Sequence, residues 1–362
     1  MPPTLRDIAR KAGLDISTVS RVLNNDASRG ISEPKRREVL AIARSLGYRP
    51  HRSARALRMG RHLNIAYVLT ETRAARATLE LPFARYRLYG LEDALTARGY
   101  LLSLLRLDPD DPKSLQEKVL RWPQVDGLVF NYHVPSLALI DALREARLAA
   151  VAIDGDIFEQ SEHTISCIRS DREAGVHASV SHLIEHGHRR IALINAEVNR
   201  RRSAGYLRGL EEHGIERDER LIRLWSARDP TLSSGRLHAY AAVQELLQAK
   251  VPFTAIQAGS DFTAAGAIDA LLQSGIRVPE DVAVAGFDDL EAMDLFPFRR
   301  PFLTTLHDPN LEMGQKAAEV LLEQIERGAA PQRILLPTRL VVRESCGCGH
   351  RPESGLAAAG LW

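Results

Sequence analysis

The chain has 362 residues, of which 45% are hydrophobic and 26% are charged. This composition supports the cores of two or three folded domains and excludes an intrinsically disordered protein. No stretch approaches the roughly 18 apolar residues that a membrane-spanning helix needs. Charged residues near the start interrupt the apolar core that a signal peptide would need. Three cysteines fit a reducing compartment, so we expect a cytoplasmic protein.

The charge is unevenly distributed along the chain. The formal net charge is only +2, but residues 1–61 contain 14 Lys and Arg against 5 Asp and Glu, a net charge of +9. The remainder of the chain carries a net charge of −7. A small basic segment attached to a mildly acidic body indicates that the small segment binds a polyanion.

Three short helices are predicted in the basic segment. Thr4 followed by Asp7 is typical of a capping box, and Gly13 ends the helix that this box begins. Asp15 can cap a second helix and Ser32 a third. Two helices joined by a short glycine turn form a helix-turn-helix unit, whose second helix can lie in the major groove of DNA.

The outer face of the second helix carries short hydrogen-bonding side chains and one arginine: Ser17, Thr18, Ser20, Arg21 and Asn24. Such groups can contact phosphate oxygens and base edges. An ordinary solvated helix face is the alternative interpretation. The charge of +9 and the neighbouring helices favour DNA binding.

The run "TLRDIARKAGLDISTVSRVLNN", followed by "ISEPKRREVLAIARSLGYRPHRSARALRMGRHLNIAYVL", resembles the amino-terminal DNA-binding region of the lac-repressor/gal-repressor family of bacterial transcription regulators. The resemblance implies that Ile16 and Ser17 read bases at the start of the second helix and that Arg21 also reaches into the groove. Asp15 stands where the family usually has serine. The resemblance further implies that Thr18, Ser20 and Asn24 contact phosphates, and we include Thr4 among the DNA-binding residues.

Residues 50–61 are interpreted as a hinge. The segment begins with proline and continues with good helix formers, but isolated helices below about 12 residues are marginal in water, so a plain basic linker is the alternative. The family resemblance implies that the segment folds only on the operator and pairs across a dimer axis. Leu57 would then insert as a wedge into the minor groove, and Ala54 would allow the two helices to approach closely. His51 replaces the asparagine that the family usually has there.

From Asn64 onward, short apolar runs alternate with helix-period segments, which predicts parallel sheets covered by helices. The runs "HLIEHGHRRIALI", "RSAGYLRGLEEHGI" and "GIRVPEDVAVAGFDDLE" resemble the periplasmic-binding-protein-like core of the same family. We therefore expect an all-α helix-turn-helix head and an α/β periplasmic-binding-protein-like body of two doubly wound parallel-sheet lobes. The predicted boundaries are a head at 1–49, a hinge at 50–61, an effector-binding and dimerisation domain at 62–344 and a disordered tail at 345–362. Within the body, we place one lobe at about 62–163 and 308–336 and the other at about 164–307 and 337–344.

Polar residues follow several predicted strands, at the edge where ligands bind in such sheets. They include Asn131, Asp154, Ser260 and Asp288. The resemblance implies that Arg202 and Asp288 hydrogen-bond the hydroxyls of an effector and that Asn131, Asp154 and Ser260 line the same cleft. A sugar is the expected effector. A sugar acid or a phosphosugar is an alternative, because Arg202 ends a triplet of arginines. The favoured interpretation places the first two arginines of the triplet at the surface. A nucleobase is a further alternative.

Two groups of residues have side chains that can bind a metal. His182 and His186 share a helix face, but the resembled family commonly carries histidine at the positions of His182 and His188 for packing and hydrogen bonding. The tail contains Cys346, Cys348 and His350, but this pattern lacks a fourth ligand and the usual zinc spacing. We therefore predict no metal and no cofactor. No phosphate-binding loop or nucleophile motif supports an enzyme. A solute-binding protein or a sugar-processing enzyme is a remote alternative.

The combined prediction is a ligand-responsive regulator, a repressor of carbohydrate-utilisation genes. We expect it to bind a palindromic DNA operator as a homodimer, in the cytoplasm at the nucleoid and away from any membrane. A small sugar-like effector would control the affinity for DNA.

Overall fold

The computed structural model describes residues 3–23, 31–48, 60–69, 82–106, 113, 116–120, 124–131, 137–154, 165–226, 232–293 and 301–348. The chain divides into two compact units, Met1–Leu63 and Asn64–Trp362. We call the first unit the head and the second the body. Four of the predicted DNA-contacting residues lie outside the described residues: Asn24, His51, Ala54 and Leu57.

The described residues of the head form three helices, which confirms the prediction. They are α1 (Leu5–Ala12), α2 (Ile16–Leu23) and α3 (Glu33–Ser45). Gly13 has φ 60, a left-handed conformation that favours glycine, and its N–H donates to the carbonyl oxygen of Ala9 at the end of α1. One apolar face of each helix packs into a common core of Ile8, Ala9, Val19, Val22, Val39 and Ala43.

The first lobe of the body contains a six-stranded parallel sheet. Its strands are β1 (Asn64–Leu69), β2 (Leu101–Arg106), β3 (Gly127–Asn131), β4 (Ala149–Ile153), β5 (Ser166–Asp171) and β11 (Arg333–Pro337), in the order β11-β5-β4-β3-β1-β2. Helices α4 (Pro82–Ala97), α5 (Leu137–Glu145) and α10 (Asn310–Arg327) belong to this lobe, as does a short π-helical turn at Gln116–Leu120.

The second lobe contains a four-stranded parallel sheet. Its strands are β6 (Ile191–Ala196), β7 (Ile222–Trp225), β8 (Ala255–Ala258) and β9 (Ala283–Ala285), in the order β7-β6-β8-β9. Its helices are α6 (Arg172–Glu185), α7 (Arg200–Glu212), α8 (Leu232–Gln248) and α9 (Asp261–Gln273), with 3₁₀ turns at Glu219–Leu221, Leu290–Met293 and Glu344–Cys346. An antiparallel pair, β10 (Thr305–His307) and β12 (Arg339–Val341), completes the lobe. Within the ranges given above, no helix is both long and apolar enough to cross a lipid bilayer.

Two predicted boundaries differ from the structure. Strand β5 pairs with β4 and β11 in the first sheet, so the chain enters the second lobe after Asp171 and not near residue 164. Ser345 and Cys346 are buried in the second lobe, where the Ser345 hydroxyl donates to the carbonyl oxygen of Val284 at 2.6 Å. The predicted tail therefore begins inside the fold, and residues 349–362 lie outside the described residues.

Glycines allow α4 and α10 to pack in direct backbone contact. A Cβ atom on Gly314 of α10 would overlap the carbonyl oxygen of Arg87 in α4, and one on Gly90 of α4 would overlap the carbonyl oxygen of Leu311. This close packing places Arg87 at the buried edge of the first sheet, beside the polar ends of its strands.

Candidate functional site

The exposed end of α2 carries a chain of hydrogen bonds. The Asp15 carboxylate accepts from the backbone N–H of Thr18 at 2.8 Å, from the Thr18 hydroxyl at 2.7 Å and from the Ser17 hydroxyl. These bonds, with those from Ser17 first, lower the pKa of Asp15, so the carboxylate is ionised at neutral pH. Arg21 donates to the Ser17 hydroxyl at 2.9 Å. Asp15 thus caps α2, as predicted, and also orients two of the predicted DNA-contacting side chains.

The other predicted DNA-contacting residues that the structure describes lie at the surface of the head. Ile16 is 43% exposed, while Ser20 and Arg21 are half-buried. Thr4 is exposed, and both its N–H and its hydroxyl donate to Asp7 at the start of α1. The face of α2 therefore presents an apolar side chain, hydroxyl groups and a guanidinium to solvent.

In the body, a buried cluster of charges forms at the carboxyl ends of the first lobe's strands. Arg87 is 0% exposed and donates to three side chains from different elements. Its partners are the Oδ1 of Asn310 at 2.8 Å, the Oδ1 of Asn131 at 3.2 Å and the Oδ2 of Asp154 at 2.8 Å. Asn131 ends β3 and Asp154 follows β4, so the strand-end prediction is correct about where these two side chains lie.

Arg172 joins this cluster from the first residue of α6. Its guanidinium pairs with Asp154 and lies 3.5 Å from Asp308, which follows β10. Burial alone would raise the pKa of Asp154, but Arg172 and Arg87 outweigh it and lower the pKa to about 2. Asp154 is therefore a permanent anion at neutral pH.

The second lobe contributes Arg202 and Asp288. Arg202 donates to the carbonyl oxygen of Gly259, lies 3.4 Å from the Oδ1 of Asp288 and stacks on the ring of Phe287 at 3.8 Å from its centroid. Burial raises the pKa of Asp288 to about 6, and the attraction of Arg202 opposes the rise only in part. The charges of Asp308 and Asp154 also act on Arg202, so both halves form one cluster.

Two of the cleft carboxylates have unusual backbone conformations. Asp154 has φ 62 and Asp288 has φ 116, in the left-handed region that non-glycine residues rarely adopt. Such residues persist only where the surrounding structure over-determines them, and they concentrate at binding sites.

The Nε of Arg202, a donor, and the Oδ1 of Asp308, an acceptor, are buried without a hydrogen-bond partner among the described residues. An unsatisfied buried group costs about 1–3 kcal/mol. A donor and an acceptor left open in one polar cluster are suited to bind a ligand that carries both functions.

Ser260 differs from the other predicted cleft residues in its hydrogen bonds. Its hydroxyl caps α9, where it accepts from the N–H of Thr263 at 3.2 Å and bonds the Thr263 hydroxyl at 2.9 Å. Of the arginine triplet, Arg200 is exposed, Arg201 is half-buried and only Arg202 is buried.

The sequence reasoning missed Arg87, Arg172, Asp308 and Asn310. Asp308 follows a strand as Asp154 does, but β10 has only three residues and was not recognised. Arg87 lies in the interior of a helix, where no motif marks it.

A three-helix helix-turn-helix unit followed by two parallel-sheet lobes with a polar cleft defines a ligand-responsive DNA-binding regulator. Residues 4–51 match the family described as "Bacterial regulatory proteins, lacI family", and residues 180–346 match "Periplasmic binding protein-like domain". The chain is 30% identical over 356 residues to the HTH-type transcriptional repressor PurR of Haemophilus influenzae, covering 94% of this chain and 98% of that protein. It is 31% identical over 356 residues to the HTH-type transcriptional regulator CelR of Thermobifida fusca, covering 95% and 98%. The chain belongs to the lacI family and is a transcriptional regulator.

Solved structures agree with this assignment. A CelR–cellobiose complex matches with a TM-score of 0.65 and 31% identity, covering 95% of this chain and 99% of that one. The lac repressor dimer bound to operator and the anti-inducer ONPF matches with a TM-score of 0.72 and 25% identity, covering 96% and 99%.

Proposed function

We propose that this regulator is a repressor of carbohydrate-utilisation genes, that it binds a palindromic operator as a homodimer in the cytoplasm, and that a small neutral sugar in the body cleft controls its affinity for DNA. The observation that carries the proposal is the buried cluster of arginines and aspartates, with its open donor on Arg202 and open acceptor on Asp308.

The balance of charge in the cluster supports a neutral ligand. Three arginines, Arg87, Arg172 and Arg202, face three aspartates, Asp154, Asp288 and Asp308. An anionic ligand would compete with these carboxylates for the guanidinium groups. A sugar hydroxyl instead donates to a carboxylate and accepts from a guanidinium, so it fits both open positions. The surface position of Arg200 removes one reason to expect a sugar acid or a phosphosugar.

The relatives support the same class of ligand. One solved relative is a cellobiose complex, and the ribose operon repressor of Escherichia coli is 29% identical over 347 residues. We place Asn131, Asp154, Arg202 and Asp288 in the effector site and add Arg87, Arg172 and Asp308. Ser260 would act through the helix that it caps.

In the head, α2 would read the operator. Ile16, Ser17 and Arg21 would contact base edges, and the phosphate contacts would come from Thr18, Ser20 and Asn24. Thr4 would also bind DNA. In the hinge, we assign DNA contacts to His51, Ala54 and Leu57. The head's charge of +9 supports a strong electrostatic contribution to DNA binding.

Ligand control would work through the two lobes of the body. Arg172 begins the second lobe and pairs with Asp154 of the first. A ligand that prefers one arrangement of the lobes would shift the affinity for DNA by a coupling typically worth about 1–3 kcal/mol, or about 5- to 150-fold.

Two measurements test the proposal. Fluorescence anisotropy of a labelled palindromic duplex against a scrambled one should show specific binding that weakens steeply with salt. Thermal denaturation against neutral sugars, sugar acids and phosphosugars should give the largest stabilisation with a neutral sugar.

Arg202→Ala should abolish the sugar response and leave operator binding intact. Arg208→Ala is a matched control on the same helix, because Arg208 is half exposed and pairs with Glu212. Leu57→Ala should weaken binding to the specific duplex and leave the sugar response unchanged. A sugar response that survives Arg202→Ala, or an absence of preference for any palindrome, would overturn the proposal.

A further inference from the structure

The fold brings one histidine of α6 next to two cysteines near the carboxyl-terminal end of the described residues, although the sequence places them far apart. His182 lies in the last turn of α6, and Cys346 and Cys348 lie at the end of the last 3₁₀ turn. The Sγ of Cys348 is 3.1 Å from the Nε2 of His182, and the two sulfur atoms and the imidazole nitrogen all lie within 4.8 Å of one another.

We propose that His182, Cys346 and Cys348 bind one Zn²⁺ ion, with water as the fourth ligand. Two thiolates and an imidazole are ligands that zinc prefers. Bond lengths of about 2.3 Å to sulfur and about 2.0 Å to nitrogen place tetrahedral ligand atoms about 3.5–3.8 Å apart. The observed distances, 3.1 Å between Cys348 and His182 and at most 4.8 Å among all three atoms, lie within about 1 Å of these values.

The backbone between the two cysteines is shaped to present both thiols to His182. Gly347 has φ 71, a left-handed conformation that reverses the chain between Cys346 and Cys348. On the other side of Cys346, the Ser345 hydroxyl accepts from the N–H of Thr304 at 2.7 Å and donates to the carbonyl oxygen of Val284 at 2.6 Å. The segment is thus fixed to the second sheet before it reaches α6.

A zinc ion at this place would connect the carboxyl-terminal segment to α6. The same segment carries Arg343, which pairs with Asp289 at 2.5 Å, next to the cleft residue Asp288. Helix α6 begins at Arg172, in the cleft. The ion would therefore stabilise the second lobe behind the cleft without touching the ligand.

The test uses the full-length chain without a histidine tag, stripped of metal and kept reduced. Titration with Co²⁺ should give thiolate-to-cobalt charge-transfer absorption that saturates at one equivalent and is abolished by Zn²⁺. Zn²⁺ should also raise the melting temperature. His182→Gln should weaken Co²⁺ binding by at least tenfold, and Cys348→Ser should remove the charge-transfer band or weaken binding to the same extent.

Two variants serve as matched controls. His186→Gln changes the histidine one helical turn after His182. The centroids of the two imidazole rings are 4.3 Å apart. Cys167→Ser changes a buried cysteine of β5, in the other lobe. Both should bind Co²⁺ as the parent protein does.

Cys348 is the cysteine chosen for substitution because it is only half-buried, whereas Cys346 packs in the core. We therefore expect metal-free Cys348→Ser to melt at the same temperature as the metal-free parent protein. The proposal is overturned if the reduced parent protein shows no charge-transfer band with Co²⁺, or if Cys348→Ser binds Co²⁺ with parental spectrum and affinity. Stabilisation by Zn²⁺ that is equal in Cys348→Ser and the parent protein would likewise overturn it.

Discussion

Replacing Arg87 with methionine removes a buried positive charge and keeps a side chain of similar length. Arg87 is 0% exposed and holds Asn310, Asn131 and Asp154, which lie on three separate elements. The substitution leaves the side-chain oxygens of Asn310 and Asn131 without this donor. The negative charge of Asp154 is then balanced by Arg172 without Arg87. We expect a large loss of stability in the body.

The magnitude follows from these contacts. Hydrogen bonds to a charged group contribute about 1.5–3 kcal/mol each, and removing one partner of a buried ion pair costs about 3–5 kcal/mol. Packing of the methionine side chain offsets part of the combined loss. We therefore expect Arg87→Met to lower the free energy of unfolding by about 3–5 kcal/mol, a large part of the about 5–15 kcal/mol of a typical domain.

Urea denaturation followed by tryptophan fluorescence measures this loss, because Trp225 ends β7 and packs against the core of the second lobe. The matched control is Arg98→Met. Arg98 follows α4 and pairs with Glu326 of α10 at 2.5 Å, but its side chain is 51% exposed. An exposed pair contributes less than about 1 kcal/mol. If the two variants lose equal stability, the reasoning from burial is refuted.

The pH dependence gives a second check on the same variant. The folded pKa of Asp154 is lowered to about 2, below an unfolded value of about 3.9, so the carboxylate stabilises the fold above that value and the effect is lost as pH falls through the folded pKa. Without Arg87, the pKa of Asp154 should rise. The stability difference between parent and variant should then shrink as pH falls below about 5, and a constant difference would contradict the assignment.

Three further predictions concern the cleft, the DNA-contacting face and the helix packing. Burial raises the pKa of Asp288 to about 6, so the folded protein takes up a proton there first and gains stability from this group as pH falls from about 6 to about 4. The protonated group no longer offers a carboxylate to the sugar, so sugar affinity should fall below pH 6 by at most about tenfold per pH unit. Calorimetric titration should show this decline, and Asp288→Asn should flatten it; a flat parental profile would contradict a carboxylate contact. Asp15→Asn keeps an N-cap acceptor and removes a negative charge, so anisotropy should show tighter binding to non-specific DNA at low salt, and unchanged affinity would place Asp15 away from phosphates. Gly314→Ala should lower the urea midpoint through a loss of about 1–3 kcal/mol, because the new Cβ overlaps the Arg87 carbonyl oxygen; parental stability would show that α4 and α10 can separate at no cost.

The sequence predicted the features that depend on near neighbours. The head follows from capping residues and apolar spacing within a few positions, as the bonds of Asp15 to Thr18 show. The parallel sheets follow from the alternation of strands and helices. Asn131 and Asp154 were found because a residue after a parallel strand must lie at one known edge of its sheet.

Features that depend on contacts distant in the chain were decided by the tertiary structure alone. Arg87 meets Asn310 across 223 positions because two glycines let α4 and α10 touch, and no local pattern marks that meeting. His182 and Cys348 are 166 positions apart, and each belongs to a group that lacks ligands by itself. Local propensity sets the helices and strands, whereas the side chains that meet in a buried cluster are set by how those elements pack, which a pattern of near neighbours does not encode.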